Sequence, residues 1–149
     1  MKVCLICSSG GHFFELYCLR SLWHNSDHFW VTFPGSDTRY LLRDKKVYWA
    51  YSPTNRSVKN LIRNLLMAWR ILLKEKPSAI ISTGAGVSVP FFFLARILGM
   101  KTIYIESMTR INDLSLTGKL VYPVVGDFFV QWPELALKYS RAKFVGQVI

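Results

Sequence analysis

The fold is decided by KVCLICSSGGH, residues 2–12, in which a short apolar run ends at two serines and two glycines and a helical pattern follows. A compact apolar run bounded by glycine is typical of a buried strand, and the Gly10-Gly11 pair suits a tight turn into a helix. Cys4 and Cys7 form a C-x-x-C, but residues three apart on a strand point to opposite faces. We therefore predict no metal site and expect both cysteines to pack in the core.

The same strand–loop–helix pattern recurs along the chain. We predict strands at Lys2–Cys7, His28–Phe33, Lys46–Tyr51, Ser78–Ser82, Lys101–Ile105, Asp127–Gln131 and Lys143–Val145. We predict helices at His12–Trp23, Asp37–Arg43, Val58–Lys74, Val89–Leu98, Leu116–Tyr122 and Pro133–Tyr139. This alternation predicts an α/β fold, a Rossmann-like and mostly parallel sheet with helices on both faces. The length of 149 residues predicts a single domain over residues 1–149.

The charge balance indicates an anionic partner. The chain has 19 Lys and Arg against 9 Asp and Glu, a net charge of +10. No nucleic-acid signature is present, so acidic lipid headgroups or a phosphorylated substrate are favoured over nucleic acid. The longest apolar block, Val87–Leu98, is too short to span a bilayer. We therefore expect any membrane contact to be peripheral.

Two glycine-containing loops follow predicted strands and are candidate phosphate sites. The first is Ser8–His12 and the second is Ser82–Gly86. Loops of this kind bring backbone N–H groups and a helix N-terminus close to a ligand. His12 fits a general base, a phosphate hydrogen-bond donor or a simple helix cap, and the sequence leaves these open.

A carboxylate ends the very apolar strand Lys101–Ile105. Glu106 should lie at the mouth of the sheet, partly desolvated and with a raised pKa. Such a group suits a general base or an acceptor for a sugar hydroxyl. A structural carboxylate that caps a helix or pairs with Arg110 is the alternative.

Two neighbouring segments are candidates for membrane contact. In Val58–Lys74 one arc of the helix is apolar, and four basic residues lie on another: Lys59, Arg63, Arg70 and Lys74. Taken alone, this helix favours a core-facing apolar arc with a solvated basic back. The run Phe91-Phe92-Phe93 should expose at least one ring, and we predict that Phe92 contacts lipid beside Arg96. A helix that is buried all round is the alternative.

Five segments together resemble one known family: Gly10-Gly11-His12 with Glu15, Ser82–Val87 with Pro90, Tyr104–Ser107 with Arg110, Leu114–Leu120 with Tyr122-Pro123, and Phe129–Glu134. The family is the acceptor-binding subunit of the two-part UDP-N-acetylglucosamine transferase that adds the second sugar of the dolichol-linked N-glycan precursor. Short bacterial chains of this kind occur in capsular and exopolysaccharide synthesis. The resemblance covers nearly the whole chain.

The resemblance implies the N-terminal half of a GT-B glycosyltransferase, which needs a partner subunit for activity. The partner would bind the UDP-sugar donor, and this chain would hold a lipid-diphosphate-linked sugar acceptor at the cytoplasmic face of the membrane. No cofactor is implied, since the UDP-sugar is a substrate. Ala85 departs from the family pattern, where proline is common, and so do Phe13 and Phe14.

The resemblance also assigns roles to residues. His12 or Glu106 would deprotonate the attacking hydroxyl, and Gln131, Trp132, Val148 and Ile149 would lie at the partner interface. The acceptor diphosphate pocket would be lined by Ser9, Gly10, Gly11, Thr83, Gly84, Gly86, Arg110 and Lys119.

Two rival interpretations remain at this point. The chain could be a non-catalytic membrane scaffold that recruits and enhances a partner glycosyltransferase. It could also be a free-standing Rossmann-type binder of a soluble nucleotide, which predicts nucleotide binding and no membrane affinity.

Overall fold

A computed structural model describes residues 1–54 and 56–148. Its seven strands are β1 (Lys2–Ile6), β2 (Asp27–Thr32), β3 (Val47–Trp49), β4 (Ala79–Ser82), β5 (Lys101–Ile105), β6 (Asp127–Val130) and β7 (Ala142–Phe144). All seven predicted strands are confirmed, with ends that shift by at most two residues. They form one sheet in the order β3-β2-β1-β4-β5-β6-β7.

Every pairing in the sheet is parallel, as the alternating pattern predicted. The strand order turns back at β1, which pairs with β2 on one side and β4 on the other. In open parallel sheets, ligands bind beside the carboxyl ends of the strands near such a switch in order. The two glycine loops follow β1 and β4, so both lie at this point.

The helices are α1 (Gly11–Cys18), α2 (Arg20–Trp23), α3 (Ser36–Leu41), α4 (Val58–Glu75), α5 (Ser88–Ile97), α6 (Leu116–Val121) and α7 (Pro133–Lys138). Two apolar cores lie on opposite faces of the sheet. Phe13, Leu16 and Trp23 of the first two helices pack in one core with Cys7. Residues of α4 to α7 pack in the other with Cys4. The cysteines therefore point to opposite faces, as predicted.

The predicted single helix His12–Trp23 is wrong, because the structure contains two helices that break at Leu19. After the break, Trp23 folds back, and its indole N–H donates to the Leu16 carbonyl at 3.0 Å. The Trp23 ring also lies edge-on against Trp30 of β2, with ring centroids 5.2 Å apart. Burial of a large aromatic side chain with its N–H paired compensates for the interrupted helix.

The amino end of the sheet is held by a buried carboxylate. Glu75, the last residue of α4, accepts from Lys46 at 2.7 Å and from Lys2 at 3.2 Å. The Tyr48 hydroxyl also donates to this carboxylate. The Lys46 and Tyr48 hydrogen bonds lower the pKa of Glu75 from 4.5 to about 2. This network joins α4 to β1 and β3.

Candidate functional site

A large open cleft lies at the carboxyl ends of the strands. Its volume is about 1190 Å³. Both polar and apolar residues line the cleft. Among the described residues, the polar and glycine residues of the lining include Ser8, Gly11, His12, Glu15, Thr54, Arg56, Gly86, Ser107, Thr109, Arg110, Ser115 and Thr117. The apolar residues of the lining include Phe14, Leu61, Val89, Met108, Leu116 and Leu120. Arg56 and Arg110 supply positive charge, so the cleft suits an anionic ligand that also carries apolar parts.

Four of the predicted site residues line this cleft: Gly11, His12, Gly86 and Arg110. The other predicted residues pack behind it or beside it. Their surroundings show what each one contacts instead.

The first glycine loop does not present all its amides to the cleft. The Gly10 N–H donates to the Asp37 carboxylate at 2.7 Å. A side chain on Gly35 would collide with Asp37 and with Ser9, which packs against that residue. Ser9 and Gly10 therefore hold the loop against α3. This contact was not predictable from local patterns, because Asp37 is 27 residues from Gly10.

The second glycine loop packs directly on the first. The Thr83 hydroxyl donates to the His12 carbonyl at 2.6 Å. Gly84 has φ +126°, and a Cβ there would lie 2.8 Å from Cε1 of His12. Thr83 and Gly84 are buried and set the position of His12, whereas Gly86 reaches the cleft.

The imidazole of His12 is half-buried at the edge of the cleft. Its Nδ1 is buried and has no hydrogen-bond partner within residues 1–54 and 56–148. An unpaired buried ring nitrogen at the edge of a cleft is unusual and marks His12 as a candidate functional residue. This geometry allows the imidazole to accept a proton from a ligand hydroxyl.

The structure corrects the prediction that Glu106 is one of the two candidate catalytic residues. Its side chain is fully buried and does not line the cleft. One oxygen accepts from the Ser107 N–H at 3.0 Å, and the other accepts from the Ser115 N–H and hydroxyl, both at 3.0 Å. Burial raises the pKa of Glu106, as predicted. The carboxylate fixes two loops of the cleft wall and is closed to substrate in this arrangement.

Glu15 is a cleft residue to which sequence reasoning assigned no role. One carboxylate oxygen accepts from the Ser107 hydroxyl at 3.0 Å and from the Met108 N–H at 3.1 Å. The other oxygen is buried and has no partner among the described residues. Its place three residues after His12 puts both side chains on one face of α1, and this spacing was the signal that the sequence offered.

Lys119 lies outside the cleft lining. Its ammonium pairs with the Asp113 carboxylate at 2.6 Å on the exposed surface. Asp113 also accepts from Lys138 at 3.1 Å and from the Tyr139 hydroxyl. Lys119 therefore joins α6 to α7, and Arg110 and Arg56 are the basic residues at the cleft itself. No group of three or more metal-ligating side chains occurs in the described part of the chain.

Helix α4 has three faces, and its apolar arc points outward. The buried face combines Ala68, Ile71 and Leu72 with three polar residues, Asn60, Asn64 and Glu75. Asn64 exchanges two hydrogen bonds of 3.0 Å with the Tyr51 backbone, and the Asn60 amide donates to the Pro53 carbonyl at 2.9 Å. The exposed face, here called the apolar strip, consists of Val58, Leu61, Ile62, Leu65, Leu66, Trp69 and Leu73. The interpretation of a core-facing apolar arc is therefore wrong. The four predicted basic residues of α4 are exposed beside the strip.

The prediction for Phe92 is wrong, because its ring is fully buried against Tyr104. The exposed phenylalanine of α5 is Phe93, and Arg96 is exposed one turn further on. The rotation of α5 about its axis was not predictable from this run, since three consecutive rings on a helix point in three different directions. None of the described helices has the length and hydropathy required to cross a bilayer.

The residues predicted at a partner interface have internal contacts. Gln131 is buried, where its amide N–H donates to the Glu106 carbonyl at 3.0 Å and its oxygen accepts from the Val148 N–H at 2.9 Å. Gln131 therefore has no exposed surface to offer to a partner subunit, contrary to the prediction. Trp132 is half-buried and donates to the Met108 carbonyl at 2.6 Å. Val148 is partly exposed, and Ile149 lies outside the described residues.

Solved structures define the class of this fold. The chain superposes on a UDP-N-acetylglucosamine 2-epimerase from Rickettsia bellii with a TM-score of 0.76 and 16% identity, covering 99% of this chain and 45% of that one. It superposes on Acinetobacter baumannii MurG with a TM-score of 0.71 and 18% identity, covering 89% and 42%. The fold is thus the Rossmann-like half of a GT-B protein, as predicted.

Within that class, residues 40–148 match the model of the oligosaccharide biosynthesis protein Alg14-like family, and the chain belongs to this family. A UDP-N-acetylglucosamine transferase subunit ALG14 from Debaryomyces hansenii is 40% identical over 101 residues, covering 62% of this chain and 44% of the relative. The human protein of that name is 29% identical over 99 residues, covering 62% and 46%. The chain spans less than half the length of these relatives.

Proposed function

We propose that this chain is the acceptor-binding subunit of a two-chain glycosyltransferase in polysaccharide or oligosaccharide synthesis. It holds a lipid-diphosphate-linked sugar at the anionic, cytoplasmic face of a membrane, and a partner subunit binds the UDP-sugar. The proposal rests on the family membership and on the GT-B half-fold. The capsular or exopolysaccharide setting stays a prediction from the sequence.

The observation that carries the acceptor assignment is the continuity of the cleft with the apolar strip. Leu61 lines the cleft and also belongs to the strip. Arg56 and Arg110 line the same cleft and suit a diphosphate. An acceptor with its diphosphate near these arginines would pass its lipid over Leu61 into a bilayer that contacts α4.

His12 is the base in this proposal. Its imidazole takes the proton of the acceptor hydroxyl while that oxygen attacks the anomeric carbon of the donor sugar. The bond from the anomeric carbon to the phosphate oxygen breaks, and UDP leaves with the electron pair. Thr83 and Gly84 hold His12 in place, and Glu15 and Glu106 order the facing loop at Ser107.

Transfer of radiolabelled sugar from UDP-sugars to lipid-linked acceptors in membranes tests the proposal. The assay compares this chain alone, its candidate partner alone and both together. We expect activity only with both, and we expect His12→Ala to lower it by roughly 10²–10⁴-fold. The matched control is His24→Ala, since His24 is exposed and remote from the cleft lining. Full activity from the partner alone, or with His12→Ala, would leave this chain a scaffold.

Sedimentation with vesicles of phosphatidylcholine and phosphatidylglycerol tests the membrane contact. We expect Leu65→Ser with Trp69→Ser to lower the bound fraction severalfold, because both side chains are exposed in the apolar strip. The matched control is Leu137→Ser, which removes a more exposed leucine from α7. Equal binding of the double variant and the control would contradict a membrane role for α4.

A further inference from the structure

A second concave surface lies beside the apolar strip, on the basic face of α4. This groove has a volume of about 470 Å³. Tyr48 and Tyr51 form one wall, and Arg63, Arg70 and Lys74 of α4 form the other. It is separate from the cleft, since the two share no lining residue.

The cations of the groove are held in place without a carboxylate partner. The Arg63 guanidinium lies over the Tyr51 ring at 5.3 Å, and the Lys74 ammonium lies 6.0 Å from the Tyr48 ring centroid. Within the described residues, neither these two side chains nor Arg70 forms a salt bridge. Such an uncompensated cluster attracts an anion.

The nearest carboxylate to this cluster is already neutralised. Glu75 contacts the Tyr48 hydroxyl but pairs with Lys46 at 2.7 Å and Lys2 at 3.2 Å. Its charge is therefore balanced from the side opposite the groove. Arg70 and Lys74 are one turn apart, about 6 Å along the helix axis, which suits two contacts to one phosphate.

The position of the groove selects a lipid over a soluble anion. Leu66 lines the groove and also belongs to the apolar strip. A phosphate between Arg70 and Lys74 would therefore have its acyl chains beside Leu66 and Leu73. We infer that this groove binds the phosphate of an anionic phospholipid headgroup, a site distinct from the acceptor cleft. The inference rests on the proposed docking of α4 at a membrane.

The test uses the full chain and dihexanoyl phosphatidylglycerol below its micelle concentration, so that no bilayer is present. Isothermal titration should show saturable binding that weakens by about tenfold in Arg70→Gln, which removes a charge-assisted contact. Lys74→Gln should behave alike. The matched control is Lys45→Gln, which removes the same charge from an exposed residue outside the groove and outside α4, and should leave the affinity unchanged.

Two further arms separate the possible outcomes. Inorganic phosphate should bind at least tenfold more weakly than the lipid, because it lacks acyl contacts; equal binding would overturn the lipid assignment. Equal weakening by Arg70→Gln and Lys45→Gln, or no saturable binding, would overturn the assignment of the groove as a lipid site. If the groove is overturned but phosphatidylglycerol vesicles still bind the chain, the proposed membrane role of α4 stands. If the vesicles do not bind either, the groove and the membrane role of α4 both fail.

Discussion

Glu75 and Glu106 are both buried carboxylates, but they lie at opposite ends of the sheet and differ in their partners. Glu75, at the amino end, pairs with two lysines, and its pKa falls to about 2. Glu106, at the carboxyl end, is bound by neutral donors of Ser107 and Ser115, and burial raises its pKa. The amino end is thus built for stability, whereas the end that carries the cleft holds a desolvated carboxyl group bound by neutral donors, at some cost in stability.

The largest expected effect comes from crowding the Glu106 end. In Gly118→Ala, the new Cβ would lie 2.1 Å from one Glu106 oxygen, so hydrogen bonds from Ser115 must break. We expect the free energy of unfolding to fall by about 3 kcal/mol, measured by urea denaturation. The control Gly11→Ala places its Cβ where no atom lies within 4 Å. Equal stability of the two variants would show that the Glu106 arrangement tolerates displacement.

The next effect comes from removing the charge at the amino end. Glu75→Gln should lower the free energy of unfolding at pH 7 by about 2 kcal/mol, since the lysine contacts are lost. The folded-state pKa is lowered, so this contribution is present above the ordinary value of 4.5 and disappears as pH falls towards about 2. Urea denaturation at pH 7 and pH 3 measures it, with the exposed Glu134→Gln as control. A gap between variant and wild type that is as large at pH 3 as at pH 7 would contradict the ion-pair origin.

The smallest expected effect is on Glu106, and the sign of its pH dependence distinguishes the two ends of the sheet. Glu106→Gln should change the free energy of unfolding at pH 7 by less than about 1 kcal/mol, because the hydrogen bonds that the carboxyl group loses are offset by removal of its desolvation cost. The pKa of Glu106 is higher in the folded state than in the unfolded state. The wild type therefore keeps its full stability below the unfolded-state pKa and loses stability as pH rises through the folded-state pKa. The Gln variant should therefore gain on the wild type as pH rises. The same denaturation series measures this, and a trend parallel to that of Glu75→Gln would remove the distinction between the two ends.

The sheet and the position of its site were predictable from local patterns. Short apolar runs that end at Ser8 and Ser82 located β1 and β4, and the parallel arrangement then placed the two glycine loops side by side. His12, Gly86 and Arg110 were found because they follow strands directly. Glu106 was found for the same reason, but its burial depends on Ser115 and Gly118, which the sequence does not place next to it.

The orientation of α4 was not predictable, because periodicity shows which residues share a face and not which face is buried. Asn60, Asn64 and Glu75 lie inward through contacts with Pro53, Tyr51 and Lys46. Each of these partners belongs to the segment before the helix or to a distant strand end. These contacts, together with the burial of Ala68, Ile71 and Leu72 in the core, place the apolar strip on the outside, and a helical pattern does not record them.

The central place of β1 has a consequence for folding kinetics. This strand begins at Lys2, yet its neighbour β4 begins at Ala79, and Lys2 contacts Glu75 across the same interval. The middle of the sheet cannot close until more than seventy residues have been ordered around it. Pairings of such high sequence separation slow folding. We expect a slow refolding phase that reports β1–β4 docking, and a nascent chain that stays open until β4 has been made.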